Sequence, residues 1–311
     1  MGVALGLGLF EFPFSGGAAF WRWVDLCEAG GIDSIWQSDR ISGPVPMLEC
    51  MSSMAALAGA TKRLKFGMFV ASVGLRDPLL LASQCATIDM LSDGRLLPAF
   101  GVGNPRSDDW LATATDTRGS GRRADEALDI IAALWRGESV TCDGEFHRYR
   151  EASISPLPVQ KRFPLWIGGH SKAAMRRTAR IGTGWVGGTQ PPHETATVVR
   201  GIKAALEVTG RSIDADHYGA GLSFRFGDLE EPIVAREIER LGAYTPGRDP
   251  RTAIAVGTKT DIVNRLREFV SAGVSKFVLR PIGAGDDDLL HQTKILIEQV
   301  LPDVPALNPP D

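Results

Sequence analysis

Short apolar runs alternate with stretches whose apolar positions follow a helical period, and the alternation continues almost from one end of the chain to the other. The runs at 3–10, 34–37, 64–71, 95–102, 165–167, 184–187, 218–226 and 276–279 predict strands. The stretches at 17–29, 47–60, 78–91, 122–135, 172–181, 192–208, 258–272 and 289–301 predict helices. In 122–135, Ala124, Leu128, Ile131 and Trp135 fall on one face, and Gly137 ends the pattern. Pro78 suits a first helical position. Thr258 and Asp261 form a capping pattern, and Gly273 closes that helix.

Eight strand–helix pairs predict an α/β fold, a (β/α)8 TIM barrel. A doubly wound open sheet shares the alternation, but the count of eight favours the barrel. Residues 139–149 read as an inserted hairpin, and 227–256 as an insertion with some helix. No Pro- or Ser-rich linker divides the chain, so 1–311 is expected to form one domain.

Composition narrows the class of function. The 311 residues are 44% hydrophobic and 23% charged with a net charge of −3, an ordinary globular balance. Mild acidity without a basic stripe gives no reason to expect nucleic acid. No apolar run approaches the ~18 residues that span a bilayer, so no membrane association is expected. The opening MGVALGLGLFEFPF lacks a basic n-region and meets Glu11 early, so it reads as a first strand and not a signal peptide. Cys27, Cys50, Cys85 and Cys142 are scattered without a CxxC pair, which suits free thiols in a cytoplasmic protein.

In a barrel, chemistry sits at the C-terminal strand ends. The histidines there and elsewhere (His147, His170, His193, His217, His291) have no metal-ligand spacing. Lys276 begins its strand, which disfavours Schiff-base chemistry, and no GxSxG elbow is present. The paired carboxylates of a glycosidase are hard to find, since Glu11 and Asp39 are the main rim acids, and no strand-end Lys or Glu pair suits phosphosugar isomerase or aldolase chemistry.

What remains is glycine, aromatic surface and cation. Gly101 and Gly103 in GVGNP would let a flat group lie on the backbone, though a tight turn explains them equally. Phe10, Phe12, Phe69 and Trp185 would make an apolar floor, although core packing is the commoner role of such residues. The stretch PLWIGGHSKAAMRRTARIGTGWVGG (164–188) opens a helix with Gly169, His170, Ser171 and Lys172. A helix N-terminus offers unpaired N–H groups to an anion. Ser171 as a plain N-cap needs no ligand, but a cofactor phosphate fits better, since barrels often carry one late in the strand order.

Several blocks resemble the bacterial luciferase-like monooxygenases, the superfamily that includes deazaflavin (F420)-dependent oxidoreductases. They are ATKRLKFGMFVASVGLRDPLLLASQCATIDMLSDGRLLPAFGVG (60–103), RRADEALDIIAALWRGESVTCDGEFHRY (122–149), the 164–188 stretch and VGTKTDIVNRLREFVSAGVSKFVL (256–279). Together they cover nearly the whole chain. The resemblance implies a flavin or deazaflavin ring at the barrel mouth, a non-proline cis peptide at Phe69-Val70, and a cofactor phosphate on Gly169, His170, Ser171 and Lys172. It adds Ser38 and Asp39 beside the ring, with Gly101, Gly103 and Asn104 completing the cofactor wall.

Asp39, Arg40 and Glu11 are then the catalytic candidates. Arg40 stands where several F420 enzymes have histidine, and Pro105 alters the fourth turn. An arginine stays charged and does not relay a proton near neutrality; it would hold an anionic ring, a peroxide or a substrate carboxylate instead.

The implied activity is oxidoreduction of a small organic substrate with F420. Arg76, Arg106, Lys172 and Arg225 along the rim suit its anionic tail. The alternatives are an FMN-dependent monooxygenase using oxygen, or a non-catalytic flavin-binding relative. A homodimer packed through 47–60 and 78–91 is also expected, from the small apolar surface MSSMAALAGA and from the resemblance.

Overall fold

The computed structural model describes residues 2–245 and 247–307. Eight parallel strands form the centre: β1 (Ala4–Leu9), β2 (Ser34–Gln37), β3 (Lys65–Met68, resumed at Ala71–Ser72), β4 (Leu96–Leu97, resumed at Ala99–Gly101), β5 (Trp166–Gly168), β6 (Gly184–Gly187), β7 (Tyr218–Phe226) and β8 (Lys276–Pro281). The two parts of β3 pair with the two parts of β4, and β8 pairs with β1. Every strand therefore has two parallel neighbours, which closes the sheet into a TIM-type barrel.

The breaks in β3 and β4 depart from the continuous runs that the pattern predicts. β3 is interrupted by the cis peptide Phe69-Val70. β4 is interrupted at Pro98, which has no N–H to donate, although its carbonyl still accepts from the Trp166 N–H at 3.0 Å.

Helices α1 (Gly17–Ala29), α2 (Cys50–Ala60), α3 (Pro78–Leu91), α4 (Ser120–Trp135), α5 (Lys172–Ile181), α6 (Pro192–Thr209), α7 (Lys259–Ser271) and α8 (Asp286–Ile295) follow strands β1 to β8 in turn. Local chemistry sets their starts. Glu49 accepts from the Ser52 N–H at 2.7 Å, so α2 begins at Cys50 and not at 47. Asp77 caps α3 with Pro78 in its first turn, and Thr258 and Asp261 form the expected capping box on α7. The last helix starts at Asp286 rather than 289 and passes into a wider turn at Leu296–Val300.

Two apolar layers hold the barrel. Trp36, Ala99, Trp166, Val186 and Val278 form one buried cluster with Phe10, Phe69, Val70 and Leu97 packed against it. A larger cluster joins strands to helices and includes Leu5, Leu7, Phe66, Leu128, Ile131 and Phe277. The expected hairpin is present as Val140–Asp143 against Arg148–Ala152. The 227–256 insertion holds an α-helix (Pro232–Tyr244, the insertion helix) and a 3-10 turn (Pro250–Ala253), and runs into a strand the pattern did not predict, Ile254–Gly257. That strand pairs with Ser223–Phe226 at the end of β7. Cys27, Cys50 and Cys85 are buried and free.

Candidate functional site

The mouth is built where β1, β2, β3, β7 and β8 end. Phe10 and Phe69 stack there with ring centroids 5.3 Å apart and an interplanar angle of 15°. The expected cis peptide lies between Phe69 and Val70, and the Ser38 hydroxyl reaches the Phe69 carbonyl at 3.4 Å. Gly101 and Gly168 face the Val70 side chain, and a Cβ on either would stand 2.8 Å from it. Gly101 thus makes room for Val70 rather than leaving backbone bare. Gly103 has φ +80°, and a Cβ there would meet Ser72 at 2.8 Å, so it too answers to its own turn. Asn104 is exposed, and its carbonyl and side-chain oxygens accept the N–H groups of Ser107 and Arg106.

The apolar floor is smaller than the sequence suggests. Trp185 packs outward in a cluster with Val198, Ile202 and Leu206, and its indole N–H donates to the Gly169 carbonyl at 2.8 Å. Phe12 turns away from the mouth against Phe14 and Phe20.

Asp39, Arg40 and Glu11 do come to one mouth, in different states of engagement. Asp39 has a side chain only 2% exposed. Its two oxygens accept from the Arg76 guanidinium at 2.6 and 2.7 Å, and one also accepts the Ser72 N–H at 2.9 Å. Burial works against the charge on Arg76, but hydrogen bonds to Asp39 outweigh it and hold the guanidinium above its ordinary range. Glu11 accepts from Arg280 at 2.6 Å. Arg40 donates to the Tyr244 hydroxyl at 3.0 Å. Its loop is fixed by Asp109, which accepts the N–H groups of Ile41 and Ser42, both at 2.7 Å.

Glu237 is the buried centre of a network that the sequence reading did not single out. It accepts from Arg280 at 2.7 Å, Arg240 at 2.8 Å and the Ser223 hydroxyl at 2.6 Å. Burial alone would raise its pKa, but these donors hold it below the ordinary carboxylate range. Burial in turn pulls Arg280 down from its ordinary range. Arg280 also lies over the Phe10 ring, 5.7 Å from its centroid, and Arg240 over Tyr244 at 5.6 Å. The insertion helix, which carries Glu237, Arg240 and Tyr244, thus touches the ends of β2, β7 and β8.

Across the mouth stands the start of α5. Gly169 has φ +109°, a conformation that favours glycine. Ser171 caps the helix, its hydroxyl oxygen accepting the Ala174 N–H at 3.1 Å, which leaves the hydroxyl proton free to donate. The Lys172 and Ala173 N–H groups have no intrahelical acceptor. Gly169, His170, Ser171 and Lys172 are all exposed. Gln190 bridges to His170 Nδ1 at 3.1 Å, and its buried carbonyl oxygen has no partner among the described residues. These groups fit a phosphate with hydroxylated chain beside it: donors for the anion, and one acceptor left over.

The expected basic rim is thinner than proposed. Arg76 pairs with Asp39 and Glu49, and Arg225 with Glu231 and Asp288, and among the described residues Lys172 and Arg106 have no carboxylate partner. Among the described residues no cluster suits a metal ion, and no helix is long and apolar enough to cross a membrane. A cleft of about 940 Å³ lies elsewhere, lined by Trp135, Phe163, Leu165, Arg211 and His217. Leu165, Thr183 and His217 precede β5, β6 and β7, so this cleft belongs to the opposite, N-terminal face.

Comparison with known proteins bears on the family. An uncharacterised protein of Mycobacterium tuberculosis is 32% identical over 54% of this chain, and the match spans only 57% of that protein. An F420-dependent glucose-6-phosphate dehydrogenase of Microbacterium testaceum is 26% identical over 89% of this chain and 90% of its own. Among solved structures, the monooxygenase RslO1 from Streptomyces bottropensis superposes with a TM-score of 0.84 at 19% identity, covering 96% of this chain and 99% of its own. The sequence model described as luciferase-like monooxygenase matches residues 15–235. With that match over more than half its length, on the barrel and mouth just described, the chain belongs to the luciferase-like monooxygenase family.

Proposed function

We propose that the protein is an F420-dependent oxidoreductase acting on a small organic molecule. The observation that carries the reading is the exposed N-terminus of α5, where the first-turn N–H groups, the Ser171 hydroxyl and Lys172 converge beside a glycine at φ +109°. Gly169, His170, Ser171 and Lys172 would hold the cofactor phosphate. Gln190 would accept from the hydroxylated chain next to it. Ser38, Phe69 and Val70 would support the ring, and Gly101, Gly103 and Asn104 would keep the wall of β4 in shape. When bound, F420 supplies a hydride carrier. Asp39 orients this wall through Arg76 and Ser72, and Glu11 sets the position of Arg280 over Phe10. The likeness to the Microbacterium dehydrogenase supports the choice of cofactor.

A second reading, reduced FMN with oxygen, gains from the pairing of Arg76 and Arg225, which removes two cations that would have served a polyanionic tail. Oxygen separates the two. Anaerobic incubation of the protein and reduced F420 with a panel of carbonyl and enone compounds is expected to oxidise the cofactor. Consumption of reduced FMN that requires oxygen, with none of F420, would overturn the reading.

Replacing Ser171 with alanine removes the cap and one phosphate donor. The expected cost is about 1 kcal/mol of stability and roughly tenfold in cofactor affinity, read by thermal melting and by titration. Unchanged affinity would reduce Ser171 to a cap.

We also propose a homodimer through α2 and α3. α3 exposes Leu80 (58%), Met90 (42%) and Leu91 (66%) beside the exposed small residues Ala55, Ala56 and Gly59 of α2, an apolar surface a partner would cover. Sedimentation at micromolar concentration is expected to give the dimer mass, and a monomer would contradict this.

A further inference from the structure

Among the described residues most charges at the mouth are answered, and apart from Lys172 and Arg106 on the outer rim the exception is Arg40. Arg76 meets Asp39 and Glu49, Arg225 meets Glu231 and Asp288, Arg280 meets Glu11 and Glu237, and Arg240 meets Glu237. Arg40 makes no ion pair with any described residue. Among the described residues its one hydrogen-bond partner is the Tyr244 hydroxyl at 3.0 Å. Asp108 borders the same turn at Gly43, yet it forms no ion pair with Arg40. A half-buried guanidinium with most of its donors unspent is a recognition site for an anion.

Position says which anion. In the closed ring β2 stands three strands from β5, so Arg40 faces the phosphate cradle of α5 from across the mouth. With the cofactor phosphate held at α5, Arg40 is left for the substrate. The remainder of the Arg40 fork is planar and bidentate, and the Tyr244 hydroxyl adds one donor at its edge. That set, two parallel N–H donors and one hydroxyl, matches the plane of a carboxylate.

We propose that the substrate carries a carboxylate, bound by Arg40 and Tyr244, with its apolar part on Phe10 and Phe69. Tyr244 belongs to the insertion helix, so this helix sets the distance between the anchor and the floor: Tyr244 is tied to Arg240 and, through Glu237, to Arg280 above Phe10. The inference deepens the oxidoreductase reading and rests on it for the site, while its test does not depend on the cofactor's identity.

The test compares benzoate with benzamide, equal in shape and different in charge, by calorimetric titration of the full-length protein, with F420 titrated in parallel. The wild-type protein is expected to bind benzoate at least about tenfold more tightly than benzamide. Arg40→Gln is expected to remove that difference, and Arg40→Lys to restore part of it. Tyr244→Phe is expected to lower benzoate affinity severalfold; that tyrosine is 60% exposed, so its replacement leaves the fold intact. F420 affinity is expected to stay within about twofold in all three variants.

Equal binding of benzoate and benzamide, or no binding of either, would overturn the proposal. So would an Arg40→Gln protein that loses F420 affinity instead, since Arg40 would then serve the cofactor. Benzoate preference that persists in a protein binding FMN and not F420 would uphold the carboxylate anchor while removing the cofactor reading.

Discussion

Asp39→Ala is expected to cost about 3 kcal/mol of folding stability, because it leaves the buried Arg76 guanidinium with only its longer, half-exposed contact to Glu49 at 3.3 Å. Asp39 is 2% exposed in its side chain and Arg76 12%, and the carboxylate oxygens are also the acceptors for the Ser72 N–H. Without them, the end of β2 is no longer tied to the resumed part of β3. Denaturant titration is expected to show a lower midpoint with an unchanged slope, the signature of a stability loss without a change in the surface exposed. The double variant Asp39→Leu, Arg76→Met is expected to recover most of the loss, since an apolar pair of similar volume often replaces a buried ion pair without penalty. Wild-type stability in Asp39→Ala, with turnover abolished, would make Asp39 a reacting group and contradict its assignment as a positioning residue.

Gly169→Val is expected to lower cofactor affinity by about a hundredfold. Losing two hydrogen bonds to a charged phosphate costs about 1.5 kcal/mol each at the low end, and ~3 kcal/mol is about a hundredfold in Kd. The change acts through the backbone. At φ +109° a branched residue is strained, and its Cβ would stand 3.2 Å from that of Ala174 in the first turn of α5. The first-turn N–H groups would then no longer converge. Far-ultraviolet circular dichroism is expected to remain that of the parent, since the position is exposed and outside the barrel core. Wild-type affinity for both F420 and FMN would leave the stretch as a tight turn.

The barrel was legible in the chain because each strand and each helix carries its own local signal. Caps such as Asp77 with Pro78 and Thr258 with Asp261 also appear where the spacing predicts. The glycine turn and capped start of α5 were legible for the same reason: Gly169, His170, Ser171 and Lys172 are contiguous. The charge pattern at the mouth was not. Arg76 lies 37 residues from Asp39, and Arg280 lies 269 from Glu11. The first pair is set by the alignment of β2 with β3 and the second by closure of β8 onto β1, neither of which a local period encodes.

Parity was the second gap. Val186 faces the barrel interior, so its neighbour Trp185 faces the helices, and an uninterrupted apolar run does not say which of the two points inward. The insertion was the third. Its helix was expected without a role, and Glu237 and Tyr244 acquire theirs only from contact with Ser223, Arg280 and Arg40.

The central claim is that the start of α5 binds the phosphate of F420 while the ring lies at Phe69 and Val70. It is tested most directly by calorimetric titration of the purified protein with oxidised F420 and, separately, with FMN. F420 is expected to bind at micromolar concentration or tighter, with FMN weaker. Micromolar or tighter FMN binding with no detectable F420 binding would contradict it and make the protein a flavin monooxygenase.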